Sequence, residues 1–557
     1  MIGRILSLTY NELLKQFKKI SITVIIAFII FLGILLPVIA QKLSVNNKDI
    51  NDRNIVGIKN AEIKIDSFKN VTTNVEKLQL EFALIDKEYW QFMKDNNIGY
   101  KDWRNDVLEG YELNAYRIAI LNKILNNVNK KSLVDAKFFE VSSEEIQEYI
   151  TLSKEELNKK LNELVKINED KKNIVKNNDY MKYLSDLIKH QEDILALQKE
   201  QIERTQEKLK VKADDESLKI NLESLKNNSI STEKILSIYK YRYNNKIDFK
   251  ENNWKNKTLK DIEQCEMDLG IHFVSEEQFN KGGAPGIQSD RMNYEEYKEI
   301  YNKNKIDLQE KIDRDWYSLN NNIPQLEFIT DARTLVNSTY NIFVILTILL
   351  LIIIGGGVVA SEFSKGTIRL LIIRPVARWK ILLSKLLSLF IIAYGTIIVS
   401  VIISMITSGF ILGLNSLQTA VVKTIGGKIV EVPYVQYILT EILMSSASVL
   451  FIISVVFMIS TLAKSTALAV SISTILYLIA MPLTLILGFS NEKWIVNTII
   501  PYINQSMINI MHGFIEMLQR ENGIVLNNNL GSIQLVIVSI IMLIITFLIF
   551  QRKDIKN

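Results

Sequence analysis

The sequence is short of the residues that build catalytic, metal or disulfide centres. It has one cysteine, Cys265, so no intramolecular disulfide can form and any part exposed to an oxidising exterior must be held by packing alone. Its three histidines, His190, His272 and His512, are scattered with no second ligand at metal-binding spacing, so no metal site is expected. The phosphate loop G-x-x-x-x-G-K-[ST] is absent: Gly426-Gly427-Lys428 is followed by Ile429, and Val422 stands where the first glycine belongs. ATP binding of that kind is excluded. No grouping of nucleophile, base and metal ligands marks an enzyme, and neither a cofactor nor a nucleic-acid partner is expected.

The chain is instead rich in both apolar and charged residues. Of 557 residues, 48% are hydrophobic and 23% charged, so the two properties must occupy different stretches. From Gln41 to Tyr340 there are 48 Lys+Arg and 53 Asp+Glu, a net charge of −5, which leaves the remainder at +10. The abundance of Asn, Lys and Ile resembles the output of an AT-rich bacterial genome.

Ile20 to Ala40 contains no charge, and 15 of its 21 residues are Ile, Leu, Val or Phe. At about 1.5 Å per residue it matches a hydrocarbon core of roughly 30 Å, and those side chains favour insertion by on the order of 6 kcal/mol. A cleaved signal peptide is the rival reading, since Lys15, Lys18 and Lys19 precede the run and Val38-Ile39-Ala40 resembles a cleavage site. The run is longer than a signal core, however, and the residues before it have amphipathic periodicity. Ile5, Leu6, Leu13, Leu14 and Phe17 oppose Arg4, Lys15 and Lys18, as in a helix lying on the inner leaflet.

Further uncharged runs fall at about 340–361, 386–414, 442–463, 466–489 and 532–550. The fold class expected is an all-α membrane protein. Residues 1–19 form a cytoplasmic amphipathic helix and 20–40 the first transmembrane helix. Residues 41–339 form a mainly helical, coiled-coil-like extracellular domain, and 340–557 a five-helix transmembrane domain. With the N-terminus inside, the cytoplasmic segments carry 14 Lys and Arg and the short outer loops only Lys423, Lys428, Lys493 and Arg520. The positive-inside rule then places both termini in the cytoplasm and the insert outside.

Within the insert, Ser142-x-x-Glu145 and Ser153-x-x-Glu156 read as capping boxes. A half-polar seam at Leu184, Ile188, Gln191, Leu195, Gln198, Ile202, Thr205 and Leu209 suggests an antiparallel helical hairpin turning near Lys212 to Asp215. Trp103 to Leu108 and Trp254 to Leu259 share a W-x-N-x-x-L pattern, either a chance match or a loose duplication, and Lys281 to Gly286 reads as a flexible loop. The acidic surface fits a solvated scaffold, with an extracellular peptide ligand as the sharper alternative.

The most informative stretch runs from Glu362 to Lys385, EFSKGTIRLLIIRPVARWKILLSK. Ile368, Leu371 and Ile372 recur at helical spacing and Pro375 stops the helix, giving a short cationic amphipathic segment between two spans. It resembles the E-x-x-x-G-T-x-R-x-L-L-x-x-P-V-x-R-x-x-I-L-x-x-K signature of the type-2 ATP-binding-cassette (ABC-2) exporter permeases. Glu362, Gly366, Thr367, Arg369, Leu370, Leu371, Pro375, Val376, Arg378, Ile381 and Lys385 occupy matching positions, and Ala377 stands where serine is commoner. A weaker likeness lies at Ser460 to Ser465. Basic loops beside membranes are common, but that does not account for the ordered Gly-Thr, Pro-Val and spaced arginines.

The resemblance implies a coupling helix at 362–380 that docks on a separate ABC ATPase subunit, with Glu362, Lys365, Gly366, Thr367, Arg369, Arg374, Pro375 and Arg378 at the contact. It implies a second permease copy or a related permease as partner, and short membrane-dipping helices between Asn491 and Leu530. The large external insert departs from ordinary members. Among polar residues in the spans, Glu441 reads either as an interfacial glutamate snorkelling to water or as the candidate for a transport path. Thr396, Ser400, Ser404, Ser445, Ser446 and Ser448 suit helix packing, and Gly355-Gly356-Gly357 permits a kink or close approach. The expected function is a bacterial plasma-membrane permease that exports or extracts an amphipathic peptide, antibiotic or lipid-linked compound, with membrane lipid as its surroundings. A non-transporting surface scaffold or secretion component, like some phage receptors, is the alternative.

Overall fold

Apolar runs that cannot leave backbone amides unpaired in lipid fold as helices, because a helix satisfies its N–H and C=O groups internally. The computed structural model describes residues 2–44, 52–68, 70–212, 214–270, 273–281, 293–367, 376–463, 465–490, 492–511, 513, 515, 517–518 and 526–552. Six helices in it are long and apolar enough to cross a membrane: Ile20–Lys42, Ala332–Ser364, Arg378–Leu412, Tyr434–Leu462, Thr466–Phe489 and Asn528–Arg552. They are called the first to sixth spans below.

Two units make up the chain, Met1–Ser44 with Ile271–Asn557, and Val45–Gly270. In the first unit the second and fourth spans are central, with 67% of their most apolar stretch buried, whereas the first, fifth and sixth spans bury 28%, 28% and 22%. Close packing at the centre comes from missing side chains. A Cβ on Gly355 would lie 2.6 Å from Val456 Cγ1, and one on Gly356 would lie 2.5 Å from Val470 Cγ2, so the second span approaches the fourth and fifth at a distance only glycine permits.

The second and fourth spans begin about two turns before their uncharged runs, at Ala332 rather than 340 and at Tyr434 rather than 442. Polar residues conceal those turns from hydropathy. Asp331 caps the second span by accepting from Thr334 N, and Glu441 lies inside the fourth.

One feature departs from the all-α expectation. Val421–Ile425 (β1) and Lys428–Val432 (β2) pair antiparallel, with Ile425 opposite Lys428. The two residues between them, Gly426 and Gly427, have φ of +59° and +73°, the double positive φ of a tight hairpin turn that glycine adopts without steric cost. Between the fifth and sixth spans lie two short 3₁₀ turns, Lys493–Asn497 and Pro501–Asn504, and a helix at Gln505–Ile510. Tyr502, Ile503, Asn504 and Gln505 are buried there.

The second unit is a set of helices, and among its described residues two apolar clusters stand out. One gathers Leu78, Phe82, Ile120, Leu121, Ile146 and Tyr149, the other Tyr89, Met93, Trp103, Val107 and Val175. Ser153 and Glu156 form the full reciprocal capping box. Ser142 does so only by half: its hydroxyl accepts from Glu145 N, while the Glu145 carboxylate accepts from Arg117 Nε at 2.6 Å and from the Tyr149 hydroxyl. The stronger charge-assisted bond to arginine outcompetes the cap. Tyr180–Val211 and Glu216–Asn244 pair as a long helical hairpin, the second helix capped by Asp215.

Candidate functional site

The site is built where the second span ends and the third begins. Helix Ala332–Val358 breaks at Val359 and resumes as Ala360–Ser364. Two amide donors freed by the break, those of Val359 and Ala360, donate to Ser460 Oγ at 3.2 and 3.0 Å, and the Ser460 hydroxyl donates to the Gly356 carbonyl at 2.9 Å. Ser460, near the end of the fourth span, therefore closes the gap with one side chain. The short helix then stops at Gly366, whose φ of +70° is the left-handed terminator of a helix C-terminus.

Glu362 sits one turn before that stop and is buried. Its Oε1 accepts from Lys385 Nζ at 2.8 Å, with 3% and 2% of the two side chains exposed, and it also accepts from Lys15 Nζ of the N-terminal helix Ile2–Phe17. Lys385 in turn reaches Glu12 Oε1 at 3.0 Å. Two acids and two lysines thus alternate across three helices, which offsets the several kcal/mol that burying any one of these charges alone would cost. Burial pulls the Lys15 ammonium down, but its hydrogen bond to Glu362 and the charges of Glu362 and Glu12 hold it above the ordinary lysine value. Lys19 goes the other way, lowered by burial and by the positive charges of Lys15, Lys365 and Lys385. The neighbourhood keeps an excess of cations suited to an acidic partner surface.

The residues expected at the coupling contact divide accordingly. Lys365, Gly366 and Thr367 are exposed, and the Thr367 hydroxyl lies 3.5 Å from the Glu362 carbonyl. Arg378 opens the third span and donates to the Gln551 carbonyl of the sixth at 3.3 Å. Arg369, Arg374 and Pro375 lie outside the described residues, as do His272, His512 and the loop 282–286. Among the described residues no three His, Cys, Asp or Glu side chains gather as a metal site requires.

Glu441 is elsewhere, in the fourth span, with 26% of its side chain exposed and Lys423 Nζ of β1 at 3.3 Å. Glu12 and Ser460 escaped sequence reasoning as site residues. For Glu12 a signal existed, since it is the sole acid in residues 1–19, set on the polar face beside Lys15.

The sequence model of a family described as "ABC-2 family transporter protein" matches residues 132–555, three quarters of the chain, including the Glu362 to Lys385 stretch and the spans on both sides of it. The chain belongs to the ABC-2 transporter family. Such permeases are membrane subunits that work with a separate ABC ATPase subunit. The permease is also similar to the uncharacterized protein YhcI of Bacillus subtilis (strain 168), at 28% identity over 263 residues, 45% of this chain and 78% of YhcI. No solved structure matches.

Proposed function

We propose that this permease subunit exports an amphipathic compound, or extracts one from the bilayer, and that the stretch from Glu362 to Lys385 is the handle by which the ATPase subunit drives it. In this reading the Glu362 end of the bundle is cytoplasmic, unit Val45–Gly270 is extracellular, the protein resides in a bacterial plasma membrane, and a second permease copy or a related permease completes the assembly. Glu441 contributes to the transport path. An antimicrobial peptide, an antibiotic or a lipid-linked molecule fits the cargo class.

The observation that carries the reading is the Glu12–Lys15–Glu362–Lys385 cluster, in which the Glu362–Lys385 pair is buried and Lys15 half-exposed. An ion pair that joins both ends of a loop transmits a push on the loop to two spans together, and through Lys15 and Glu12 to the N-terminal helix. An exposed basic loop without such anchors would move independently of the bundle.

The test uses Lys365→Glu, an exposed position whose reversal leaves the cluster intact. It is expected to reduce recovery of the ATPase with the tagged permease and to abolish stimulation of ATP hydrolysis, with membrane insertion unchanged. Orientation is checked with a cysteine at position 365 in a Cys265→Ser background. Labelling of intact cells by an impermeant maleimide would overturn the assignment.

A further inference from the structure

Lys423 occupies a position that a foreign ammonium group would fit. Residues alternate faces along a strand, so Lys423 shares a face of β1 with Val421, which packs into the transmembrane core. That places its ammonium 3.3 Å from Glu441 Oε1 and 4.3 Å from the centroid of the Tyr437 ring. Carboxylate and aromatic face stand one turn apart on the fourth span. The Tyr437 ring is held by its hydroxyl, and a hydrogen bond to the Glu441 main-chain carbonyl holds the backbone that carries the carboxylate. The Tyr437 hydroxyl donates to Asn337 Oδ1 at 3.3 Å, and Tyr340 donates to the Glu441 carbonyl at 2.7 Å. A carboxylate and the face of a phenol converging on one point form a site for a partly desolvated cation.

The hairpin does not need Lys423 to stay folded or anchored. Buried Arg333 donates to the carbonyls of Thr419 and Ala420 at 3.3 and 2.9 Å, Val421 and Val422 are buried, and Glu431 of β2 accepts from Tyr317 of helix Tyr294–Asn320 at 2.9 Å. The Lys423 and Glu441 side chains keep 36% and 26% exposure, so their contact can exchange.

We propose that Glu441 and Tyr437 form a binding site for the ammonium group of a cationic amphipath, and that Lys423 is its tethered occupant, displaced when cargo enters. This deepens the export reading by specifying the cargo's headgroup, and it rests on that reading. Tethering holds Lys423 at a high effective concentration, so the site admits only ligands that bring apolar affinity of their own. A lone ammonium ion would not compete.

The experiment measures binding of a fluorescent long-chain alkylammonium to the full-length permease in nanodiscs without its ATPase, with the matching uncharged alcohol as control. Lys423→Met is expected to tighten alkylammonium binding on the order of tenfold, because a blocked site lowers apparent affinity by its unoccupied fraction. Lys423→Arg should behave as the parent, and adding Glu441→Gln to Lys423→Met should remove the gain. Equal binding of the alcohol by all variants verifies their fold. A gain that survives Glu441→Gln, or one shared by the alcohol, would overturn the proposal, as would unchanged alkylammonium binding in Lys423→Met. The assay contains no ATPase, so failure here combined with uncoupling by Lys365→Glu refutes the cargo site and leaves the permease reading standing.

Discussion

Glu362 Oε1 and Lys385 Nζ lie 2.8 Å apart with both side chains almost wholly buried, although 23 positions separate them in the chain. They are the first and last residues of the stretch that resembles the family signature. The pair brings the end of one span to the start of the next and so fixes both ends of the segment between them.

Removing one charge of a buried pair leaves the other uncompensated, a loss of about 3–5 kcal/mol in a simple pair. Here Lys15 and Glu12 soften it. Glu362→Gln and Lys385→Met are each expected to lower the thermal midpoint of the purified permease, and the double variant should recover most of the loss. A charge swap, Glu362→Lys with Lys385→Glu, should fail, since Lys15 and Glu12 would then face like charges. Adding Glu12→Lys and Lys15→Glu should restore stability, and a swap that succeeds without them would refute the four-residue network.

The N-terminal helix is held to the bundle partly through those same two residues. Lys15 is 48% exposed, so the pair it makes is worth about 1 kcal/mol or less. Glu12→Gln with Lys15→Gln is expected to raise hydrogen exchange across Ile2–Phe17 while the second span stays protected. Equal exchange in parent and variant would show that apolar contacts alone hold the helix.

Ser460→Ala removes the acceptor used by two buried backbone amides at the break in the second span. An orphaned buried donor costs about 1–3 kcal/mol. A fall in thermal midpoint, with faster exchange confined to the neighbourhood of Val359, is expected. An unchanged midpoint would mean that the break is satisfied in another way.

In unit Val45–Gly270, burial, reinforced by the negative charge of Asp86, pushes Glu112 from its ordinary 4.5 up to about 7. The folded state therefore holds this proton more tightly than the unfolded state. Stability is lost as pH rises from about 4.5 to about 7, and the penalty is complete above that window. Protection of helix Tyr111–Leu125 in the full chain should decline from pH 5 to pH 8, and Glu112→Gln should flatten the slope by raising protection at pH 8. A parent-like slope in Glu112→Gln would contradict this.

Much of the membrane architecture was legible because crossing lipid is a local requirement, met by about 20 consecutive apolar residues whatever their neighbours. The span ends were less so, since Asp331, Tyr437 and Glu441 interrupt the apolar pattern where tertiary partners compensate them. The hairpin carried a readable signal, Gly426-Gly427 between Val421–Ile425 and Lys428–Val432, two short runs rich in β-branched residues. Hydropathy also has no means of distinguishing the buried second and fourth spans from the more peripheral first and sixth, because the central stretch of each is comparably apolar.

By itself the sequence determined that the chain is largely helical, that it carries six runs long and apolar enough to cross a membrane and that one segment bears a family signature. Each of these follows from composition within a short window. Only the tertiary structure decided which charges meet. Lys15 and Glu362 are 347 residues apart, and their pairing depends on the rotation and register of packed helices. Lys423 reaches Glu441 only because a two-residue turn sets the pleat that aims it at the fourth span.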